Sequence, residues 1–212
     1  MARIDLSDLT PTAADFLAGA CATHLILAGE IGRVAREAWS ATDTDALVRA
    51  EQIVTSRYVT LRGLLGQYVP DMGTALSGPL ETQRQSVRRL KAERWYERVT
   101  TCLVVDGFLM DFYQTIASGL PEPLSAQLAP LFTEPEEQEL LHEVLQRVLL
   151  LDDGYVSRVS LWARRLVGDT MLIARSVLPE RKWGNDGDRL EPVFTDVIAH
   201  HTRRLDRLGL TA

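Results

Sequence analysis

The sequence predicts an all-α protein: a four-helix bundle with two additional C-terminal helices. Three observations carry that expectation. Apolar residues recur at helical spacing along almost the whole chain. Strict apolar–polar alternation is not sustained anywhere. The connections between periodic stretches are short and rich in Pro, Gly and capping residues. With 212 residues, 46% of them apolar, there is enough material for one substantial core, and neither a linker nor an internal repeat divides it, so 1–212 reads as a single domain.

The first helix is expected from about Pro11 to Trp39, with Thr10 as its cap and Pro11 at the first helical position, where no donor is missed. Its inward stripe is Leu17, Cys21, His24, Ala28, Ile31 and Ala35, and the neighbouring row Ile26, Glu30, Val34 extends that face. The second helix should run from about Asp45 to Tyr68, capped near Thr42 or Thr44, with Leu47, Val54, Tyr58, Leu61, Leu65 and Tyr68 inward. Pro70, Gly73, Gly78 and Pro79 mark a loop. A third segment, about Leu80 to Ser118, is expected to be broken or bent: its first half is strongly polar, whereas Trp95, Val99, Cys102, Leu109, Tyr113 and Ile116 fall in helical register in the second. The loop GLPEPLSAQLAPLF has room for a short helix. Thr133 and Glu136 form a capping box for the fourth helix, which ends at Asp152-Asp153-Gly154. The fifth covers about Tyr155 to Leu178, Pro179 to Arg189 is a polar loop, and the last helix covers about Glu191 to Leu208.

Composition narrows the function classes. A net charge of −6 argues against a protein coated in nucleic acid, although a local basic patch remains compatible with it. The N-terminus has no secretory signal pattern, and no uninterrupted apolar run approaches a membrane span, so a cytoplasmic protein without a membrane partner is expected. Cys21 and Cys102 both lie on apolar stripes, where core packing in a reducing compartment explains them.

Two residues stand out on the apolar stripes. Glu30 on the first helix is bracketed by Ile26 and Val34, and Asp106 follows Cys102 by four and precedes Leu109 by three. An ionised carboxylate in an apolar interior is costly unless it is paired, hydrogen-bonded or bound to metal. Either acid can be a buried polar group satisfied by a neighbour such as Arg57 or a tyrosine hydroxyl, or a metal ligand. His24 and His201 lie on apolar stripes and read as core histidines, whereas His200 and His142 read as solvent-facing; Asp152-Asp153 reads as a turn and helix cap. The strongest nucleic-acid candidate is the basic segment Arg84, Arg88, Arg89, Lys91, Arg94 and Arg98 with Trp95 and Tyr96. Its alternative is a solvated helix face with Trp95 in the core.

The segments SLWARRLVGDTMLIARSVL, HHTRRLDRLGLTA and VVDGFLMDFYQTIASG resemble actinobacterial ferritin-like proteins grouped with the tRNA 2-methylthio-isopentenyl-adenosine hydroxylases. The resemblance spans about Glu30 to the C-terminus. It implies a ferritin-like bundle enclosing a di-iron centre, with one carboxylate on helix one, Glu-x-x-His on helix two, one carboxylate on helix three and acid-x-x-His on helix four. Carried over by position, these ligands fall on Glu30, on Thr55 and Tyr58, on Asp106 (with Asp111 as a weaker candidate), and on Glu134 and Glu137. Neither Thr55 nor Tyr58 replaces a Glu or a His, and the capping box places Glu134 and Glu137 in a first helical turn, toward the bundle's end. Tyr58 could instead donate its hydroxyl to one of the acids. Allowing a gap brings in Glu139 and His142 as the helix-four pair. The expectation is therefore a ferritin-like protein that has lost most di-iron ligands, carries no cofactor and acts as a binding or interaction protein, with a homodimer as the expected assembly. The alternative is a di-iron oxygenase that uses iron to hydroxylate a modified adenosine in tRNA.

Overall fold

In the computed structural model, residues 10–133, 136–176 and 187–210 are described, and they form eight helices: α1 (Ala13–Arg36), α2 (Ala41–Leu65), α3 (Met72–Leu90), α4 (Trp95–Ala117), α5 (Leu124–Thr133), α6 (Glu136–Leu149), α7 (Gly154–Ser176) and α8 (Gly187–Asp206). No strand occurs among the described residues. The four-helix bundle is α1, α2, α4 and α6, with α1 and α2 as a closely packed hairpin. The two expected C-terminal helices, α7 and α8, pack on α4 from outside, and α3 lies across α1 and reaches α7. The bundle leaves α4 no solvent face of any size: its residues from Cys102 to Met110 are all buried.

The element boundaries shift where a cap differs from the one expected. Thr12, not Thr10, caps α1 by accepting from the Asp15 backbone N–H at 3.1 Å. Ser40 caps α2 through Asp43 N–H at 3.1 Å, so the helix starts before Thr42 and Thr44. The loop expected over 70–79 is mostly helix. Asp71 accepts from the backbone of Gly73 at 3.3 Å and Thr74 at 2.9 Å, and that cap starts α3 at Met72. Pro79 forfeits one backbone bond inside α3 without ending it. The expected break in the third segment falls at 91–94, between α3 and α4. Lys91 takes a left-handed φ of 47° at the end of α3, and Glu97 accepts from the backbone of Glu93 and Arg94, both at 3.0 Å, to start α4. Thr133 does not cap α6. Its hydroxyl donates to the Ala129 carbonyl at 3.1 Å, within α5. Asp152 accepts from Gly154 N–H at 2.6 Å, as a turn residue should. Most of the polar loop expected over 179–189 lies outside the described residues.

The stripe expected on α1 is buried in full, from Leu17 to Ala35. By length and composition α1 is apolar enough to cross a bilayer, although no uninterrupted apolar run in it is that long. Its most apolar window is 67% buried inside the fold, as a core helix requires. At Gly32 the Glu51 carboxylate of α2 lies over the bare backbone, and a Cβ there would make that side chain swing aside. Cys21 and Cys102 are buried free thiols, and burial pushes both upward in pKa, Cys21 to about 12. Trp95 is in the core, where its indole N–H donates to the Val34 carbonyl at 2.9 Å.

Candidate functional site

The interior of the bundle is polar at one level, and each group there sits on an otherwise apolar stripe. On α2 the buried residues are Leu47, Ala50, Val54, Arg57, Leu61 and Leu65, so Arg57 occupies a core position. On α6, Glu137 lies four residues before Leu141 on the buried face. Arg57 grips both oxygens of Glu137: Nη2 donates to Oε2 at 3.0 Å, and Nη1 lies 2.8 Å from Oε1. The two side chains are 6% and 0% exposed, which makes this a desolvated ion pair with one hydrogen bond and one further close charge contact.

Asp106 of α4 faces the same level and is 1% exposed. Gln138 donates its side-chain N–H both to Asp106 Oδ2 and to the Leu103 carbonyl, the latter at 3.3 Å. Burial, and next the negative charge of Glu137, push the Asp106 carboxyl up to about 7, against the opposing pull of Arg57, Gln138 and Arg204. The missing side chain of Gly107 lets two groups close over this region. A Cβ there would lie 2.7 Å from Arg204 Nε and from Gln138 Oε1. His24 is buried nearby. Its neutral ring donates from Nδ1 to the Ala20 carbonyl at 2.7 Å, and its centroid lies 6.0 Å from those of Tyr113 and Phe132. Burial, then the charge of Arg57, lower its pKa to about 3.

The other sequence candidates lie elsewhere. Glu30 is at the edge of α1, with its side chain 31% exposed, and it pairs with Arg33 one turn on. A residue flanked at i−4 and i+4 by apolar side chains need not face the core. Here Leu27, Ile31 and Val34 point in, and Gly29 and Arg33 point out. Thr55 is exposed and Tyr58 is half-buried, because the inward i, i+3 pair at that level is one residue earlier, Val54 and Arg57. Glu134 lies outside the described residues. Glu137 belongs to the first turn of α6 as expected, yet it sits in the bundle interior and not at its end. Glu139 is exposed and pairs with Arg207 at 2.8 and 2.9 Å, which turns the Glu139–His142 face toward α8. His142 is half-buried with its Nε2 enclosed, not solvent-facing. Asp111 also faces α8, bonded by Arg204 at 2.6 Å with His200 at 3.4 Å. His201 is a core histidine against Phe108. In the basic segment Arg84, Arg88, Arg89, Lys91 and Arg94 are exposed, whereas Trp95 and Tyr96 are buried.

A second feature lies outside the bundle interior. A cavity of about 240 Å³ opens between α1, α3, α4 and α7, with Glu30, Arg33, Arg88 and Lys91 among the polar residues around it.

A family model for the ferritin-like domain of actinomycetes matches residues 12–185. The chain belongs to that family. A search of curated proteins found no match. Ferritin-like di-iron domains hold their metals with inward carboxylates and two Glu-x-x-His pairs. In this ferritin-like domain the inward groups at one level are two carboxylates, Asp106 and Glu137, and one guanidinium. No three His, Cys, Asp or Glu side chains among the described residues converge in a metal-binding arrangement. The permanent positive charge of Arg57 already occupies the carboxylate that a metal would need. The described residues do not fit a di-iron centre.

Sequence patterning offers Arg57 as a partner for Glu30 or Asp106 but gives no sign of Gln138 or Arg204. The signal for Arg57 was its spacing, three after Val54 and four before Leu61.

Two outcomes follow for stability. Arg57→Leu leaves Glu137 buried and uncompensated, and should cost about 3–5 kcal/mol in urea denaturation, whereas the double variant Arg57→Leu/Glu137→Leu should recover most of that loss. Single-variant losses below about 1 kcal/mol would contradict a desolvated pair. Asp106 has a folded-state pKa above its unfolded value of 3.8, so the native state binds the extra proton between these values and loses stability as pH rises through 7. Asp106→Asn removes that term. It should therefore stabilise the fold at pH 8 by roughly 1–3 kcal/mol more than at pH 4, and an unchanged difference would count against a raised Asp106.

Proposed function

We propose that this ferritin-like domain is a binding or interaction protein without a di-iron centre. The observation that carries the reading is the Arg57–Glu137 pair, which supplies from within the chain the positive charge that metal ions supply in a di-iron bundle. Gln138 and Arg204 extend the same logic to Asp106: with Arg57 they oppose the burial and the Glu137 charge that raise it, without an ion taken from solution. Among the described residues a bundle organised this way offers no ligand set for an oxygen-activating metal, and on this reading its function lies in what its surfaces and cavities bind.

A second reading is the hydroxylase of a modified adenosine in tRNA, with iron as cofactor. The exposed strip Arg84, Arg88, Arg89, Lys91 and Arg94 favours contact with a phosphate backbone. Against it, Trp95 and Tyr96 are spent in the core, which removes the stacking surface single-stranded bases use.

One experiment separates the two. The full chain is produced in medium supplemented with iron and manganese, and the purified protein is analysed for metal. The first reading expects far less than one metal per chain and no change in thermal midpoint on adding a chelator. Close to two metals per chain, with a chelator-sensitive midpoint, would overturn it and support the hydroxylase.

A further inference from the structure

We propose that the cavity between α1, α3, α4 and α7 is a binding site for a small amphipathic anion, with its apolar body held inside and its acidic head at Arg88 and Lys91. The cavity walls are mainly aliphatic: Ile26 and Leu27 of α1, Val87 of α3, Val105 and Leu109 of α4, and Ile173 of α7. Such walls favour hydrocarbon over a sugar or a nucleotide. None of Arg57, Glu137 or Asp106 lines it, so the site is separate from the buried ion pair.

The charged rim has one sign to spare. Glu30 is engaged by Arg33. Arg98 is engaged by Glu37 and also donates to the Ala92 and Glu93 carbonyls, at 3.4 and 3.3 Å. Arg88 and Lys91 make no ion pair among the described residues, and both are exposed at the mouth. Lys91 is moreover fixed there. It has the left-handed φ of 47° that ends α3, in a turn pinned by the side chains of Glu97 and Arg98. For a lysine that conformation costs on the order of 1–2 kcal/mol, and it holds the cation at the cavity's edge.

The observation that points inward is Gln83. On α3 the buried positions are Leu76, Gln83 and Leu90, seven residues apart, so a glutamine stands where the stripe calls for a leucine. Gln83 is 4% exposed, lines the cavity, and makes no side-chain hydrogen bond to any described residue. Its amide opens onto the cavity, where a bound molecule can hydrogen-bond it and a leucine could not. A ligand's oxygen next to Arg88 and Lys91 gives that amide its partner. At about 30 Å³ for each water volume, the cavity accommodates roughly eight to twelve non-hydrogen atoms. That is a medium-chain fatty acid, a single-ring aromatic acid or a short alkyl phosphate.

The test uses four probes on the full chain: octanoate, octylamine, 1-octanol and inorganic phosphate, followed by titration calorimetry. Octanoate should bind saturably at one site per chain and raise the thermal midpoint. Octylamine and inorganic phosphate should bind about tenfold more weakly or worse, because each lacks one half of the recognised chemistry. The exposed pair of changes Arg88→Glu and Lys91→Glu should leave the unliganded midpoint unchanged and weaken octanoate about tenfold or more. Gln83→Leu should weaken octanoate relative to octanol. Comparing hexanoate with hexyl phosphate then assigns the head group, and tighter binding of either one supports the site. The proposal is overturned if octanoate does not bind saturably, if octylamine matches it, if inorganic phosphate alone matches it, or if reversing charge at positions 88 and 91 changes nothing. The Arg57→Leu/Glu137→Leu protein should bind octanoate as the parent does, so the result stands apart from the metal question.

Discussion

A charge taken out of water must be met, and in this fold that constraint acts at Glu137. Its carboxylate is wholly enclosed among α1, α2, α4 and α6, and Arg57 meets it with two contacts near 3 Å. The pair fixes the register of α2 against α6, which is held further along by Arg147 and Asp43 at 2.7 Å. A buried ion pair adds little net stability over well-packed leucines, whereas removal of one partner is costly because the other charge stays buried. Asp106 then inherits the field of Glu137. Its raised pKa, the Gln138 amide turned toward it and the bare backbone at Gly107 that admits Arg204 are all responses to two carboxylates sharing one interior.

The ferritin-like frame was legible because it depends on periodicity. The α1 stripe from Leu17 to Ala35 and the α4 stripe from Trp95 to Ile116 were read directly, and both are buried. The start of α3 was not legible: Pro70, Gly73, Gly78 and Pro79 are strong loop signals, and one aspartate cap at Asp71 outweighed them. Glu30 shows a limit of stripe reading. Flanking apolar residues at i±4 place a side chain in a row, but whether that row lies at the centre or the edge depends on where the partner helices sit. Arg57 shows the converse. Its long side chain reads as a surface residue by type, and only its place between Val54 and Leu61 marks it as interior. Carrying a ligand motif over by alignment led to Thr55 and Tyr58, one residue past the inward pair, and on a helix that is a rotation of about 100°.

The structure divides its polar interior into two parts with different chemistry. Inside the bundle, opposite charges are closed on one another and lie away from bulk solvent. Outside it, α3 touches the bundle through a narrow stripe, and the space beneath is apolar with unpaired cations at its mouth. The second arrangement is open to solvent molecules and ligands, and the first is not. This is why the proposed function is sought at the α3 face and not at the level where ferritin-like enzymes do their chemistry.

The central claim is that a guanidinium, not metal, neutralises the interior carboxylates. Its most direct test is a crystal structure of protein grown and soaked in ferrous iron, with anomalous scattering recorded at the iron edge. The account predicts no peak between Asp106 and Glu137, with Arg57 still seated on Glu137. An iron peak bonded by those two carboxylates, with Arg57 displaced, would contradict it.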